Sequence, residues 1–308
     1  MSRLSIVQFR AASKWYGNVI GLNKLTLDIA AGVTGLLGPN GAGKSTLLQL
    51  ATGQLRPSQG EVRVLGHRPW NNAALNRHIG LCPEQDAFWD WMTGRQFVRA
   101  CARLSGLGRA ADEAADRAIE AVEMTEHAGR AIKGYSKGMR QRIKLAQCLA
   151  HDPSVLFLDE PLTGTDPIAR RDLMDIMIRL GAEGKSVIFS SHVLHEVQAV
   201  TPNIVLLNRG RLVAEGHVRQ IRELIDTHPH RIVLKGPNER ELAARLVRFP
   251  DVVGVELDRA GGGILVQTTR PDDFYGRLPA LATEDGLAIE QVYSDDDNLE
   301  AVFRYLVS

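Results

Sequence analysis

The sequence predicts an α/β chain in two parts. A large domain is built on a mostly parallel sheet and carries a helical insert, and a small α+β domain follows it. Three observations predict this. Short apolar β runs alternate with helical patterns over the first two thirds of the chain. A stretch rich in Ala, Arg and Glu at helical spacing interrupts that alternation. Beyond "DTHPHR" (226–231) the order of elements changes to βαββαβα.

In the large domain, "VTGLL" (33–37) reads as a buried strand and "KSTLLQLATG" (44–53) as the helix after it. "SVLFLDE" (154–160) is another buried strand, followed by a helix through "ARRDLMDIMIRLGAEG". "SVIFSSH" (186–192) is a third, and "IVLLNRGRLVAEG" (204–216) reads as a terminal hairpin. The insert, "GRQFVRACARLSGLGRAADEAADRAIEAVEMTEHAGR", is expected to form a helical lobe over about residues 92–145. The large domain is expected at 1–225 and the small one at 229–308. In the latter, "RIVLKG" is a strand and "NERELAARLVRF" a helix. "VVGVELDRAGGGILVQT" is two strands, "PDDFYGRLPALATEDG" a helix and "AIEQVYS" a strand. "DNLEAVFRYLVS" is a closing helix capped at Asp297. That order suggests a ferredoxin-like sandwich. No residue cluster in it carries chemistry.

Composition bounds the function. The chain has 308 residues, 44% hydrophobic and 24% charged, which suits ordinary globular domains. A net charge of +1 predicts no nucleic-acid or membrane-surface binding. Cys82, Cys101 and Cys148 are scattered singly, without the pairing of a zinc site or a disulfide frame, and point to a reducing compartment. No apolar run approaches a membrane span, and the N-terminus lacks the pattern of a secretory signal. A spanning part, if the protein works at a membrane, comes from a partner.

"GPNGAGKST" (38–46) fits G-x-x-x-x-G-K-[ST] directly after a strand and opening a helix. Gly38, Gly41 and Gly43 let the backbone around Asn40 and Ala42 curl until successive N–H groups point at phosphate. The helix N-terminus that runs into Thr46 adds partial positive charge. Lys44 is placed to reach the β- and γ-phosphates and the Ser45 hydroxyl to coordinate Mg²⁺. "SVLFLDE" delivers Asp159 and Glu160 at a strand's C-terminal end, where ligands of open α/β sheets sit. Asp159 is expected to hold Mg²⁺ through its waters and Glu160 to polarise the attacking water as general base. The motifs call for a nucleoside triphosphate with Mg²⁺.

With these motifs in this order, the chain resembles the nucleotide-binding domain of ATP-binding-cassette (ABC) proteins over about residues 4–220. The resemblance implies that Tyr16 stacks on adenine, with Trp15 beside it as the alternative and a structural core aromatic as the bland reading. It implies that "YSKGM" (135–139) is the signature segment, usually LSGGQ, in which Ser136 and Gly138 touch phosphate. "TGTDP" (163–167) corresponds to the D-loop with Asp166 as its acid, and His192 to the switch histidine near the γ-phosphate. Three departures stand out: Tyr135, Lys137 and Met139 in the signature, Thr165 where Leu is usual, and Glu84 where the family has a metal-facing glutamine. A one-residue shift puts Gln85 there instead.

Ser136 lies far downstream of Lys44, across the whole insert. The resemblance implies that two chains pack head to tail and that each signature closes on the other's ATP. Lys137 adds a cation near that anion, whereas Arg140 and Arg142 read as a solvated helix face. Phe88, Trp89 and Trp91 fall in a loop and mark either an interface for a membrane subunit or packing beneath the lobe. The function implied is the ATPase subunit of an ABC-2 type exporter. It is expected to work as a homodimer with a separate permease, cytoplasmic and peripheral on the inner face of the membrane. A soluble ABC ATPase of DNA repair or translation, and a maturation or regulatory cassette, are the alternatives.

Overall fold

A computed structural model describes residues 5–218, 229–257, 262–283 and 287–294. The chain divides into two compact units, residues 1–218 and 219–308.

The first unit holds two sheets. β1 (Ser5–Tyr16) and β2 (Val19–Ala30) form a long hairpin. After β3 (Val33–Leu37) and α1 (Lys44–Ala51), β4 (Gln59–Val64) pairs with β1, giving a three-stranded antiparallel sheet of order β2-β1-β4. This sheet is absent from the expectation drawn from sequence. Register shifts at Phe9/Ala12 and at Lys14, with Ala11 at φ 46, break the apolar alternation that marks a strand.

The second sheet takes β5 (Ile79–Cys82), reached through the short α2 (Ala73–Asn76). It also takes β6 (Val155–Leu158), β7 (Ser186–Ser191), β8 (Asn203–Asn208) and β9 (Arg211–His217). The order is β5-β6-β7-β3-β8-β9, parallel except for the hairpin partner β9. β6 and β7 are buried at every position, as central parallel strands covered on both faces must be. One core joins the two sheets through α1: Phe9, Leu25 and Val62 meet Leu47, Leu48, Phe157 and Ile188.

The insert forms α3 (Gly94–Leu104), α4 (Ala111–Ala121) and α5 (Lys137–Leu149). A capping box between Thr93 and Gln96 starts α3. Ala111, Ala114, Ala115, Ala118 and Ile119 bury one stripe of α4, and small side chains there let the helices approach closely. Tyr135, unusual in its motif, is a lobe residue. It is buried, donates to His127 O at 2.8 Å and lies where a Cβ on Gly94 would meet its hydroxyl.

Arg140 and Arg142 do not form a solvated face. Arg142 pairs with Asp172 at 2.5 Å and Glu123 at 3.3 Å, and Arg140 pairs with Asp90 at 2.9 Å and stacks over Phe88. Their side chains are 14% and 20% exposed. Acids from three other segments turn both cations inward, which helical spacing alone does not disclose. α6 (Pro167–Ala182) and α7 (Leu194–Val200) complete the unit.

Among its described residues the second unit has four strands, β10 (His230–Lys235), β11 (Val252–Leu257), β12 (Ile264–Thr268) and β13 (Gln291–Ser294), in the order β11-β12-β10-β13 with every pair antiparallel. Helices α8 (Glu239–Leu246) and α9 (Pro271–Thr283) supply Leu242, Leu246, Phe274 and Leu278 to a separate core with Ile232, Leu234, Ile264 and Val266. The closing helix expected with its cap at Asp297 lies outside the described residues. Among the described residues, no helix is long and apolar enough to cross a membrane.

Each unit has its own core, so a chain ending at residue 228 is expected to fold and bind ATP. Insoluble protein, or loss of nucleotide binding in that truncate, contradicts separate cores.

Candidate functional site

Strand register gathers the chemistry at one edge. Leu37 pairs with Ser191, Cys82 with Leu158, and Leu158 with Phe189, so β3, β5, β6 and β7 all end on the same side. Beyond those ends lie the phosphate loop, Glu84, the pair Asp159–Glu160, and His192. The carboxyl edge of a parallel sheet is where backbone leaves the ladder and side chains become available to a ligand.

The phosphate loop is shaped by close approach. A Cβ on Gly38 would lie 2.5 Å from Leu207 O, and Gly43 sits at φ 104 as the N-cap of α1. Lys44, 6% exposed, donates to Gly38 O at 2.6 Å, and its Nζ lies 3.2 Å from Glu160 Oε1. Glu160 Oε2 accepts from Thr163 Oγ1 at 3.1 Å and lies 3.0 Å from His192 Nδ1. Oε1 has the charge of Lys44 near it but no partner in hydrogen-bond geometry. Glu160 itself is at φ 46, a left-handed conformation that costs a non-glycine residue energy and occurs where a site over-determines the backbone.

Ser190, invisible to the sequence reading, sets both acids. Its buried hydroxyl accepts from Glu160 N at 2.8 Å and donates to Asp159 Oδ1 at 2.7 Å. Asp159 is 7% exposed, and that is its one side-chain hydrogen bond among the described residues. It has no cation within ion-pair distance among them. A buried carboxylate without counter-charge is costly alone and fits an outside cation. Ser45, Asp159 and Glu84 therefore suit a Mg²⁺ ion. That hard cation takes few protein oxygens and keeps waters and nucleotide oxygens.

A cleft of about 530 Å³ opens above these residues. Asn40, Gly41, Ala42, Gly43, Lys44, Ser45, Thr46, Glu84, Glu160 and His192 line it; Gln85 does not. Lys144, buried on α5, holds the Glu84 segment by donating to Pro83 O and Glu84 O at 2.8 Å each, with Asp86 at 3.2 Å. Tyr16 lines the cleft, with its hydroxyl 3.3 Å from Thr46 Oγ1, whereas Trp15 is not on the wall. Val19, Ile20 and Gly21 complete this apolar side, a wall missed in the sequence because the β1–β2 hairpin that presents it was missed.

Ser136, Gly138 and Asp166 are absent from the lining. Ser136 caps α5 by accepting from Met139 N, and it is exposed. Gly138 is buried where a Cβ would lie 2.6 Å from Ala169 Cβ, so it also permits the close packing of α5 on α6. Asp166 caps α6, accepting from Ile168 N and Ala169 N. The aromatic loop divides. Phe88 packs edge-on against Phe97, with ring centroids 5.0 Å apart, while Trp91 is 74% exposed and shares a groove with Trp89, Met92 and Leu104.

The sequence profile of the family described as ABC transporter matches residues 22–163. The chain is 34% identical over 274 residues to the uncharacterized ABC transporter ATP-binding protein YxlF of Bacillus subtilis (strain 168), covering 88% of this chain and 89% of that one. It is 34% identical over 298 residues to the daunorubicin resistance ATP-binding protein DrrA3 of Streptomyces coeruleorubidus, covering 96% and 93%. Among solved structures, an ATP-binding subunit of an ABC transporter is 25% identical with a TM-score of 0.63, covering 72% of this chain and 93% of that one. The cassette MJ0796, in a dimeric post-hydrolysis state with ADP and Pi, is similar in fold, at 22% identity, a TM-score of 0.63 and coverage of 69% and 99%.

Replacing Ser190 by Ala leaves a buried acceptor on Asp159 and a buried donor on Glu160 without partners. The expected loss is about 1–3 kcal/mol in urea denaturation. An unchanged midpoint contradicts the role given to this hydroxyl.

Proposed function

The chain belongs to the ABC transporter family as an ATP-binding protein, and from that premise we propose which residues drive its cycle and what it drives. It is the ATP-binding and ATP-hydrolysing subunit of an ATP-powered transporter.

The observation that carries the reading is the state of Glu160. One oxygen is engaged by Thr163 and His192; the other is buried, with the Lys44 ammonium 3.2 Å away and no hydrogen-bond partner among the described residues. That second oxygen suits a water molecule aimed at a phosphorus. Glu160 is the general base that takes the water's proton. Lys44 grips the β- and γ-phosphates together with the N–H groups of the loop from Gly38 to Thr46. Phosphate oxygens compete with Glu160 for the Lys44 ammonium, so nucleotide binding loosens that pair and leaves Glu160 to the water. His192 steadies the carboxylate from the far side and faces the γ-phosphate. Tyr16 stacks on the adenine. Ser45, Asp159 and Glu84 hold Mg²⁺, which when bound neutralises charge on the β- and γ-phosphate oxygens.

Ser136, Gly138 and Asp166 complete a partner's site. Ser136 is exposed at the start of a thirteen-residue helix and off the cleft of its own chain, so it is free to meet the nucleotide of a second copy packed head to tail. The partners are a second copy and an ABC-2 type permease. Likeness to the daunorubicin resistance protein over nearly the whole chain supports that permease class. In this reading the exposed Trp89–Trp91 groove meets the permease, and the subunit is cytoplasmic and peripheral on the inner face of the membrane. The second unit is a ferredoxin-like accessory domain.

The test of the composite site is a cross-link. Asn40→Cys and Ser136→Cys go into separate chains with Cys82, Cys101 and Cys148 replaced; position 138 is avoided because a Cβ there meets Ala169. A disulfide needs Cα atoms within about 7 Å. A covalent dimer that forms only with ATP is expected. A link that stays within one chain carrying both cysteines contradicts head-to-tail packing.

A further inference from the structure

One chain of contacts, away from the cleft, joins the loop before α6 to the loop carrying His192. Glu196, on α7, is 6% exposed. Its Oε1 lies 3.2 Å from Arg170 Nη1, and its Oε2 accepts from Ser191 Oγ at 2.9 Å. Ser191 Oγ in turn accepts from Val193 N at 3.0 Å, so this hydroxyl clamps the peptide on both sides of His192. On the other side, Arg170 Nη2 donates to Thr165 O at 3.1 Å. Thr165 is the residue that stands where Leu is usual. It is buried, and its hydroxyl donates to Leu162 O at 2.6 Å, which fixes the turn that carries Arg170's acceptor. Arg170 Nε is buried without a partner, so the two terminal nitrogens make the contacts that span the loops.

We propose that Arg170 and Glu196 are positioning residues that hold His192 against Glu160 and tie its position to the 163–167 loop. Neither touches the cleft. Glu196 fixes the rotamer of Ser191, Ser191 fixes the backbone turn at His192, and that turn sets the 3.0 Å approach of Nδ1 to Glu160 Oε2. A shift of the 163–167 loop pulls on Arg170 and reaches His192 through Glu196. Arg170 makes the two contacts from two separate nitrogens of one rigid plane, Nη1 toward Glu196 and Nη2 toward Thr165 O, a span that the single ammonium of lysine does not reproduce. The inference rests on His192 acting in hydrolysis.

The test measures kcat, KM for ATP and thermal stability in Glu196→Leu, Arg170→Lys and the apolar pair Arg170→Met with Glu196→Leu, each with and without His192→Ala. Misplaced catalytic groups cost up to about a hundredfold, so single variants are expected to lose on the order of 10- to 100-fold in kcat with KM within about twofold. The apolar pair leaves no stranded charge and is expected to regain stability without regaining kcat. In the His192→Ala background the same changes are expected to cost nothing further, as for groups acting in one unit. Glu196→Gln keeps the side chain's shape and is expected to show the same split if Glu196→Leu does not fold. A kcat that follows stability, or an undiminished loss in the His192→Ala background, overturns the positioning role alone. Wild-type turnover by His192→Ala overturns the reading of His192 and this inference with it.

Discussion

The close approach of Lys44 and Glu160 is the interaction on which the rest of the site depends. It ties the phosphate loop after β3 to the acid after β6, two strands that are not neighbours in the sheet. Both side chains are nearly buried, so neither charge is tolerable without the other. Removing one partner of such a pair costs about 3–5 kcal/mol because the remaining charge is stranded. The same fact makes the pair responsive. An anion that satisfies Lys44 better than one carboxylate oxygen does competes for it, and the released Oε1 is left to water while Oε2 keeps Thr163 and His192. On the proposed reading, nucleotide binding frees Glu160 to act as base without any large rearrangement.

The surroundings are arranged to keep this switch in register. Ser190 holds Asp159 and Glu160 from beneath, and Thr163 holds Glu160 Oε2 from the side. Lys144 fixes the backbone at Glu84 from α5, the helix that Ser136 caps. The segment carrying Glu84 and the Ser136 cap are thus attached to one helix. α6 is joined to His192 in the same manner through Arg170 and Glu196. Two helices, each carrying a motif that does not face its own cleft, are bolted to residues that do.

Much of this was legible in the sequence. The phosphate loop, the apolar runs of β3, β6 and β7 and the β8–β9 hairpin each carry a local signal strong enough to survive without tertiary context. The three-stranded sheet was not legible, because bulges and Ala11 break its alternation, and with it went the cleft wall of Val19, Ile20 and Gly21. Ser190 and Thr163 were missed because a hydroxyl in or after a strand is unremarkable until its partners are known. Arg140 and Arg142 were misread as solvated because the acids that pair with them, Asp90, Glu123 and Asp172, are scattered along the chain. The choice between Glu84 and Gln85 depends on one residue of register after β5, which spacing does not resolve; the fold puts Glu84 on the cleft.

The most direct measurement is single-turnover hydrolysis by Glu160→Gln beside wild type, with ATP affinity measured on the same preparations. Glutamine keeps the shape and the contact with Thr163 but cannot take a proton. Nucleotide binding at least as tight as in wild type is expected, since Lys44 no longer has a competing carboxylate. Hydrolysis is expected to slow by on the order of 10²- to 10⁴-fold. Turnover at the wild-type rate contradicts Glu160 as the base, and an ATP affinity that falls with the charge contradicts its competition for Lys44.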